Sequence, residues 1–154
     1  MSGEIRKRQY FKQEVSMTFL CSNGRKKKIK NVSKYLIDWD AKCRSGIQKT
    51  VKNDIKKHWF ADVVFEEFPV AGTRMTIDFF NATQNIAIEV DGNQHYKYNK
   101  FFHSNSRQNF LSQLKRDEKK EYFCDINNIK LIRILESEIM DSENYPENLM
   151  KLLK

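Results

Sequence analysis

Three carboxylates in two neighbouring apolar segments could form a metal site. Glu89 and Asp91 are two residues apart in segment 85–91, so strand alternation places both side chains on one face. Two adjacent carboxylates repel each other and normally need a cation beside them. Asp78 lies among apolar residues of the preceding segment, where a charge without a partner is costly. If the two segments pair as a hairpin, the three acids cluster, and such oxygen ligands suit Mg²⁺ or Mn²⁺.

Three further residues could transfer protons or contact phosphate beside these acids. His95 follows in the turn after Glu89 and Asp91, and histidine exchanges protons readily near neutral pH. Asp117 and Lys120 are three residues apart on a predicted helix and therefore share a face. Asp117 could orient His95 or ligate a second metal ion, and Lys120 could contact phosphate. With a metal-activated water, such groups can hydrolyse a phosphodiester.

The apolar patterns predict the elements that carry these side chains. Three strand-like runs with short turns indicate an antiparallel meander, and a fourth run after a long helix indicates a parallel strand. The predicted strands are 15–20, 62–70, 74–80, 85–91 and 129–135, and the predicted helices are one capped by Ser45, 106–126 and 141–153. The apolar stripe of the long helix is expected to be Phe110, Leu114, Tyr122 and Ile126. The chain is therefore predicted to have an α/β fold with a mixed β-sheet flanked by helices.

Positive charge is concentrated in the first third of the chain. The net charge is +8, and residues 1–60 contain 16 Lys and Arg against 5 Asp and Glu, whereas the rest contains 12 against 15. Residues 1–12 indicate a basic arm, and the turn Ser22-Asn23-Gly24 predicts a β-ribbon with a lysine-rich tip, which suits DNA phosphates. The candidate DNA-binding residues are Arg6, Lys7, Arg8, Arg25, Lys26, Lys27, Lys28 and Lys30. We therefore expect residues 1–44 to form a basic arm and ribbon for DNA contact and residues 45–154 to form the core.

Composition argues against several other classes of protein. Cys21, Cys43 and Cys124 lie far apart without a CxxC pair, which argues against a disulfide framework and against a zinc site. No apolar run approaches the roughly 20 residues that span a bilayer. The charged N-terminus lacks the apolar stretch of a signal peptide. These features predict an intracellular protein with buried or idle thiols and no membrane partner.

Four segments carry a resemblance to a known family. They are Arg-Met-Thr-Ile-Asp-Phe-Phe at 74–80, Ile-Ala-Ile-Glu-Val-Asp-Gly-Asn-Gln-His at 86–95, Arg-Asp-Glu-Lys-Lys at 116–120 and Ile-Lys-Leu-Ile-Arg-Ile at 129–134. Together they resemble the PD-(D/E)XK nuclease superfamily, in particular its very-short-patch-repair endonucleases and the phage homing endonucleases called EDxHD. Each motif alone is weak evidence for the family, but the four together are fairly specific to it. The resemblance covers residues 45–135 and implies a restriction-endonuclease-like core.

The resemblance implies a role for each residue of the predicted site. Asp78 would be the principal metal ligand, and Glu89 would take the second acidic position. Asp91 stands where the superfamily usually has lysine, so His95 would replace that lysine as general base or acid. Asp117 would be the final acid of the branch pattern. The missing lysine leaves open whether one or two metal ions take part.

The first glutamate of the branch pattern has no direct counterpart here. Gln48 stands at the corresponding position of the first helix. Either Gln48 acts there through hydrogen bonds, or Asp54, Glu66 or Glu67 supplies the charge. The sequence leaves these alternatives open.

These observations predict a Mg²⁺-dependent endonuclease that cuts double-stranded DNA, with a specific site of the homing type as the preferred substrate. One alternative is a nuclease that recognises mismatches or branched junctions. Another is a DNA-binding module on a nuclease scaffold that no longer cuts, and RNA also remains open as a substrate. Cutting both strands needs two active sites, which a two-fold homodimer would provide. If phage-encoded, the protein would act in the cytoplasm of a bacterial host.

Overall fold

A mixed β-sheet of four strands forms the centre of the molecule. The structure is a computed structural model that describes residues 15–92, 107–140, 149 and 151–153. The strands are β1 (Met17–Leu20), β2 (Lys26–Ile29), β3 (Val64–Pro69), β4 (Thr76–Asn81), β5 (Ile86–Asp91) and β6 (Lys130–Leu135). The helices are a 3-10 helix (Val32–Tyr35), α1 (Gly46–Trp59), α2 (Arg107–Ile126) and α3 (Glu136–Met140). Strands β3, β4 and β5 pair antiparallel, β6 pairs parallel to β5, and β1 pairs with β2 in a separate antiparallel ribbon. The predicted α/β fold with a mixed, helix-flanked sheet is confirmed.

Local sequence signals explain where the elements begin and end. Ser45 caps α1 as predicted, because its Oγ accepts a hydrogen bond from the backbone N–H of Gln48 at 3.2 Å. Gly24 closes the turn of the ribbon at φ +80, a conformation that glycine adopts without strain. Asn85 precedes β5 at φ +55 and Asn128 precedes β6 at φ +56, and asparagine tolerates this left-handed region better than most residues. These turns produce the meander and the parallel crossover.

Each face of the sheet packs against a different layer. One buried cluster joins α1 to the sheet and contains Trp39, Val51, Ile55, Trp59, Phe79, Ile86, Ile88, Ile132 and Ile134. The other joins the ribbon and α2 to the sheet and contains Phe19, Cys21, Ile29, Phe65, Phe68, Phe80, Ala87, Phe123 and Cys124. Within β5, Ile86 and Ile88 thus face α1, whereas Ala87 faces the ribbon and α2, as alternation predicted. Glu89 lies two residues after Ala87 and so belongs to the face covered by α2.

The ribbon is attached to the core through aromatic and amide contacts. The ring centroid of Phe19 lies 5.6 Å from that of Phe68 and 5.6 Å from that of Phe123. The side chain of Asn127 accepts from the N–H of Leu20 at 2.8 Å and donates to its carbonyl oxygen at 3.0 Å. The described part of the predicted N-terminal region therefore packs onto the sheet.

Three residues of the predicted stripe of α2, Phe110, Leu114 and Ile126, are half-buried, but the fully buried residues lie outside the stripe. Phe123 and Cys124 are buried, whereas Tyr122 is 51% exposed. The prediction was wrong for Tyr122 because Phe123 packs against the ribbon, a contact that helical periodicity alone does not show. Helix α3 was not predicted, and of the predicted helix 141–153 residues 141–148 lie outside the described residues. Within the described ranges, none of the helices is both long and apolar enough to cross a membrane.

Candidate active site

Asp78 and Glu89 lie opposite each other where β4 and β5 stop pairing. The last ladder pair joins Phe79 and Ile88, so the register places Asp78 directly across from Glu89. Glu89 Oε1 accepts a hydrogen bond from the N–H of Asp78 at 3.2 Å, and Asp78 Oδ2 accepts one from the N–H of Val90 at 2.8 Å. Side-chain bonds thus satisfy backbone donors beyond the end of the ladder. The structure brings together the two acids that the predicted hairpin was expected to join.

Burial strongly affects the ionisation of this pair. Glu89 is 4% exposed, and Asp78 is partly buried. Burial, and next the negative charge of Glu89, raises the pKa of Asp78 to about 7. Burial also raises the pKa of Glu89, although Lys120 opposes this effect. A carboxylate whose ionisation is disfavoured by burial and by a neighbouring carboxylate is stabilised by a cation.

Lys120 brings a positive charge from α2 to the acidic pair. Its Nζ lies 3.0 Å from Glu89 Oε2, and its side chain is 16% exposed. An ammonium group has three N–H donors, so one bond to Glu89 leaves it able to bind a further acceptor. The structure therefore places Lys120 at the same site as Asp78 and Glu89.

Asp91 and Asp117 lie around Arg133, a residue that the sequence analysis did not single out. Arg133 Nη1 lies 3.1 Å from Asp91 Oδ2 and 3.7 Å from Asp117 Oδ1, and Nη2 donates to the backbone oxygen of Asp117 at 2.9 Å. Arg133 Nε bonds to Glu121 Oε1 at 3.0 Å. Asp91 is only 1% exposed, so its negative charge is balanced by a guanidinium in the protein interior.

The three predicted carboxylate ligands do not form one cluster. In the part of the chain that the structure describes, no three or more His, Cys, Asp or Glu side chains are grouped so as to hold a metal ion. Asp91 pairs with Arg133, because the parallel register places Arg133 beside Glu89, from where it reaches Asp91, and the metal-ligand role of Asp91 stays a prediction. Arg133 is a charged residue inside an apolar strand, which is the signal that drew attention to Asp78. The same pattern, a charge within the apolar segment 129–135, indicates Arg133.

The backbone N–H of Gln48 bonds to the Ser45 cap of α1, and the role of the Gln48 side chain stays a prediction. Two of the three acidic candidates for the first glutamate position, Asp54 and Glu66, pair with lysines. Asp54 Oδ1 lies 3.5 Å from Lys57 Nζ. Glu66 is bound by the ammonium group of Lys52 at 2.8 Å. The contacts of these side chains do not join them to Asp78 or Glu89.

Glu67 is the candidate whose charge acts on Asp78. The β3–β4 register places Glu67 across from Asp78, and its negative charge contributes to the raised pKa of that acid. Glu67 has φ +51, a left-handed value that is costly for a residue within a strand. Its Oε2 accepts from Thr76 Oγ1 at 2.7 Å and lies 3.4 Å from Arg44 Nη2. Among the four candidates, the structure therefore favours Glu67.

The basic residues of the ribbon are exposed, whereas other predicted residues are not described. The exposed cations of β2 and its flanks are Arg25, Lys26, Lys27, Lys28 and Lys30. The predicted residues outside the described ranges are Arg6, Lys7, Arg8 and His95. The proton-transfer role of His95 and its contact with Asp117 therefore stay predictions.

Three viral proteins are similar in sequence to this chain. It is 34% identical over 95 residues to Uncharacterized protein 033L of Invertebrate iridescent virus 3, a match that covers 62% of this chain and 47% of that protein. It is 30% identical over 106 residues to Uncharacterized protein 094L of Frog virus 3 (isolate Goorha), covering 69% and 66%. It is 34% identical over 79 residues to Uncharacterized protein 307L of Invertebrate iridescent virus 6, covering 51% and 39%.

These matches span from 39% to 66% of the relatives' own lengths, and the names of the relatives state no activity. No family model matches the chain, and no solved structure matches it. The resemblance to PD-(D/E)XK nucleases, the homodimer and the intracellular location therefore stay predictions.

Proposed function

We propose that this protein is a Mg²⁺-dependent endonuclease that hydrolyses phosphodiester bonds in double-stranded DNA. The observation that carries the proposal is the placement of the partly buried carboxylate of Asp78 beside the buried carboxylate of Glu89, where two strands stop pairing. The lysine ammonium of Lys120 lies 3.0 Å from one of them. Two acids at a single point can hold a divalent metal ion, and a cation beside them can stabilise the negative charge of a phosphoryl group.

The chemistry of the two acids fits a magnesium ion. Mg²⁺ is usually bound by one or two carboxylates and takes its other ligands from water and substrate phosphate, so Asp78 and Glu89 suffice without a third acid. Burial raises the pKa of both groups, the negative charge of Glu89 raises that of Asp78 further, and a divalent cation would oppose both effects. Asp78 and Glu89 are therefore the residues that would hold the ion. When bound, Mg²⁺ would supply a Lewis acid for the attacking water and the phosphoryl oxygens.

The protein's own side chains would orient the phosphate and stabilise its charge. Lys120 directs a positive charge at the pair from a largely buried position, where electrostatic attraction is less screened than in water. Arg133 ties the end of β5 to α2 and so fixes the helix that carries Lys120. The exposed lysines of the ribbon would contact phosphates of the duplex without reading its sequence.

The decisive experiment compares Asp78→Asn with a matched carboxylate change on a helix surface, Glu118→Gln. Purified proteins are incubated with perfect, mismatched and branched duplexes in Mg²⁺ or in EDTA, and cleavage is followed on denaturing gels. We expect Mg²⁺-dependent cleavage by the wild type and by Glu118→Gln, and none by Asp78→Asn. Binding of the duplex by Asp78→Asn, measured by fluorescence anisotropy, should be retained.

The duplex panel separates the alternatives. Preferred cleavage of one perfect sequence would support a homing-type enzyme, and preferred cleavage of mismatched or branched duplexes would support a repair or junction nuclease. Undiminished cleavage by Asp78→Asn would contradict the site assignment. DNA binding without cleavage of any substrate in Mg²⁺ or Mn²⁺ would indicate a non-cleaving DNA-binding module.

A further inference from the structure

A basic cleft adjoins the candidate active site. Its volume is about 280 Å³, and it lies between β3, the 3-10 helix and loop 38–44. Three exposed cations line it, namely Lys34, Lys42 and Arg44. Arg44 lies 3.4 Å from Glu67, which also lines the cleft and stands across the β-ladder from Asp78. One wall of the cleft is thus shared with the candidate active site.

Two lysines of α1 hold the loop that carries Lys42 and Arg44. Lys49 Nζ donates to the carbonyl oxygens of Trp39 and Ala41, both at 3.3 Å. Lys52 Nζ donates to the same carbonyl of Ala41 at 3.3 Å, and the N–H of Ala41 donates to the carbonyl of Asp38. The loop backbone is therefore fixed before any ligand arrives, so less conformational entropy is lost on binding.

The acids of the cleft are largely balanced by neighbouring cations. Lys52 is fully buried and donates to both carboxylate oxygens of Glu66, at 2.8 and 3.2 Å. With Lys49 and Lys52 behind the wall, five cations accompany the three carboxylates of the lining. A surplus of positive charge attracts anions to the cleft.

Arg44 is placed to exchange its partner. Its side chain is 74% exposed, and exposed ion pairs such as the one with Glu67 contribute little to stability. A phosphate group binds a guanidinium through two parallel hydrogen bonds, which is a stronger arrangement than a single exposed contact. An incoming phosphate can therefore replace Glu67 as the partner of Arg44.

We propose that this cleft binds backbone phosphates of duplex DNA beside the bond to be cut, with Lys34, Lys42 and Arg44 as contacts. The position of the cleaved bond rests on the proposed function, whereas the binding itself does not require cleavage. An extended polyanion is favoured over a single phosphate ion because it contacts several of the cleft's cations at once and releases more counterions. These contacts position the strand relative to Asp78 without reading the base sequence.

The test uses the full chain and removes three charges at a time. The cleft variant combines Lys34→Gln, Lys42→Gln and Arg44→Gln, and the matched control combines Lys57→Gln, Lys115→Gln and Lys119→Gln, which are exposed on helices. Binding of a fluorescent duplex is measured by anisotropy in EDTA at several salt concentrations. We expect the cleft variant to lose about tenfold or more in affinity, and the slope of log K against log salt to fall in magnitude by about 2 to 3. The control slope should change by less than about one.

Each further outcome supports or overturns the assignment. Arg44→Lys keeps the charge and should keep the wild-type slope, and thermal unfolding verifies that each variant is folded. Equal losses in the cleft variant and the control, or no loss in either, would overturn the proposal. A cleft-dependent preference for duplex RNA would overturn the assignment to DNA. Because EDTA prevents cleavage, cleft-dependent binding by a protein that never cuts refutes only the proposed function, whereas cleavage with unchanged binding in the cleft variant refutes only this inference.

Discussion

The protonation of Asp78 affects the stability of the folded state. Burial and the charge of Glu89 raise its pKa from 3.8 to about 7. Between these values the folded protein holds a proton that the unfolded chain has released, so the free energy of unfolding decreases as pH rises. Stability from this group is therefore complete below about pH 4 and lost by about pH 7. This direction is opposite to that of a salt-bridged aspartate.

Asp78→Asn should remove this pH dependence, because an amide does not ionise and can still accept the hydrogen bond from Val90. We measure urea unfolding in EDTA from acidic to neutral pH. The stability of the wild type relative to Asp78→Asn should fall by at most about 1.4 kcal/mol per pH unit across this interval. The control Glu118→Gln should show no such trend. A constant difference between wild type and Asp78→Asn would mean that Asp78 ionises normally in the folded protein.

At the scale of elements, Arg133 connects the sheet to the helix that delivers Lys120. Its guanidinium bonds to the buried Asp91 of β5 and to the backbone and side chain of Asp117 on α2. We expect Arg133→Gln to destabilise the protein by about 3 kcal/mol, because removing one partner leaves a buried charge without compensation. Arg116→Gln, an exposed change on α2, should lower the free energy of unfolding only slightly.

A double-mutant cycle separates this role from a general packing effect. If Asp91 and Arg133 stabilise each other, the double variant Asp91→Asn/Arg133→Gln should lose less free energy of unfolding than the two single variants together, as measured by urea unfolding. Additive effects would show that the two residues act independently. A metal-ligand role for Asp91 predicts, in contrast, that Asp91→Asn weakens Mg²⁺ binding in calorimetry without a coupling to Arg133.

The sequence predicts the strands and the shared face of Glu89 and Asp91, but not which side chains contact them. Alternation and turn signals locate the central strands to within two residues and place Glu89 on the face opposite Ile88, which the structure shows to be covered by α2. The contact of Asp91 with Arg133 depends on the register between β5 and β6, which are separated along the chain by a helix. The position of Glu67 depends on a left-handed backbone conformation that glutamate rarely adopts, so no residue pattern indicates it.

For the whole molecule, the two layers explain how a basic N-terminal region can serve an acidic site. The ribbon and α2 cover the same face of the sheet, because Phe19 and Phe123 belong to one buried cluster. Glu89 points to this face and meets Lys120 there. The exposed cations of the ribbon are thus attached to the layer that holds Glu89 and Lys120.

The two-layer packing also predicts which thiols react in the native protein. Cys21 and Cys124 are buried in the cluster beneath the ribbon and α2, and burial raises the pKa of Cys124 to about 12. Cys43 lies partly exposed at the cleft, where burial raises its pKa.

With iodoacetamide at neutral pH and peptide mass spectrometry, we expect slow labelling of Cys43 alone in the native state and labelling of all three cysteines in urea. Because the thiolate is the reacting species, raising the pH should increase the labelling rate of Cys43 while Cys124 stays protected. Native labelling of Cys124 at the rate of Cys43 would mean that α2 is not packed on the sheet, and the placement of Lys120 beside Glu89 would fail with it.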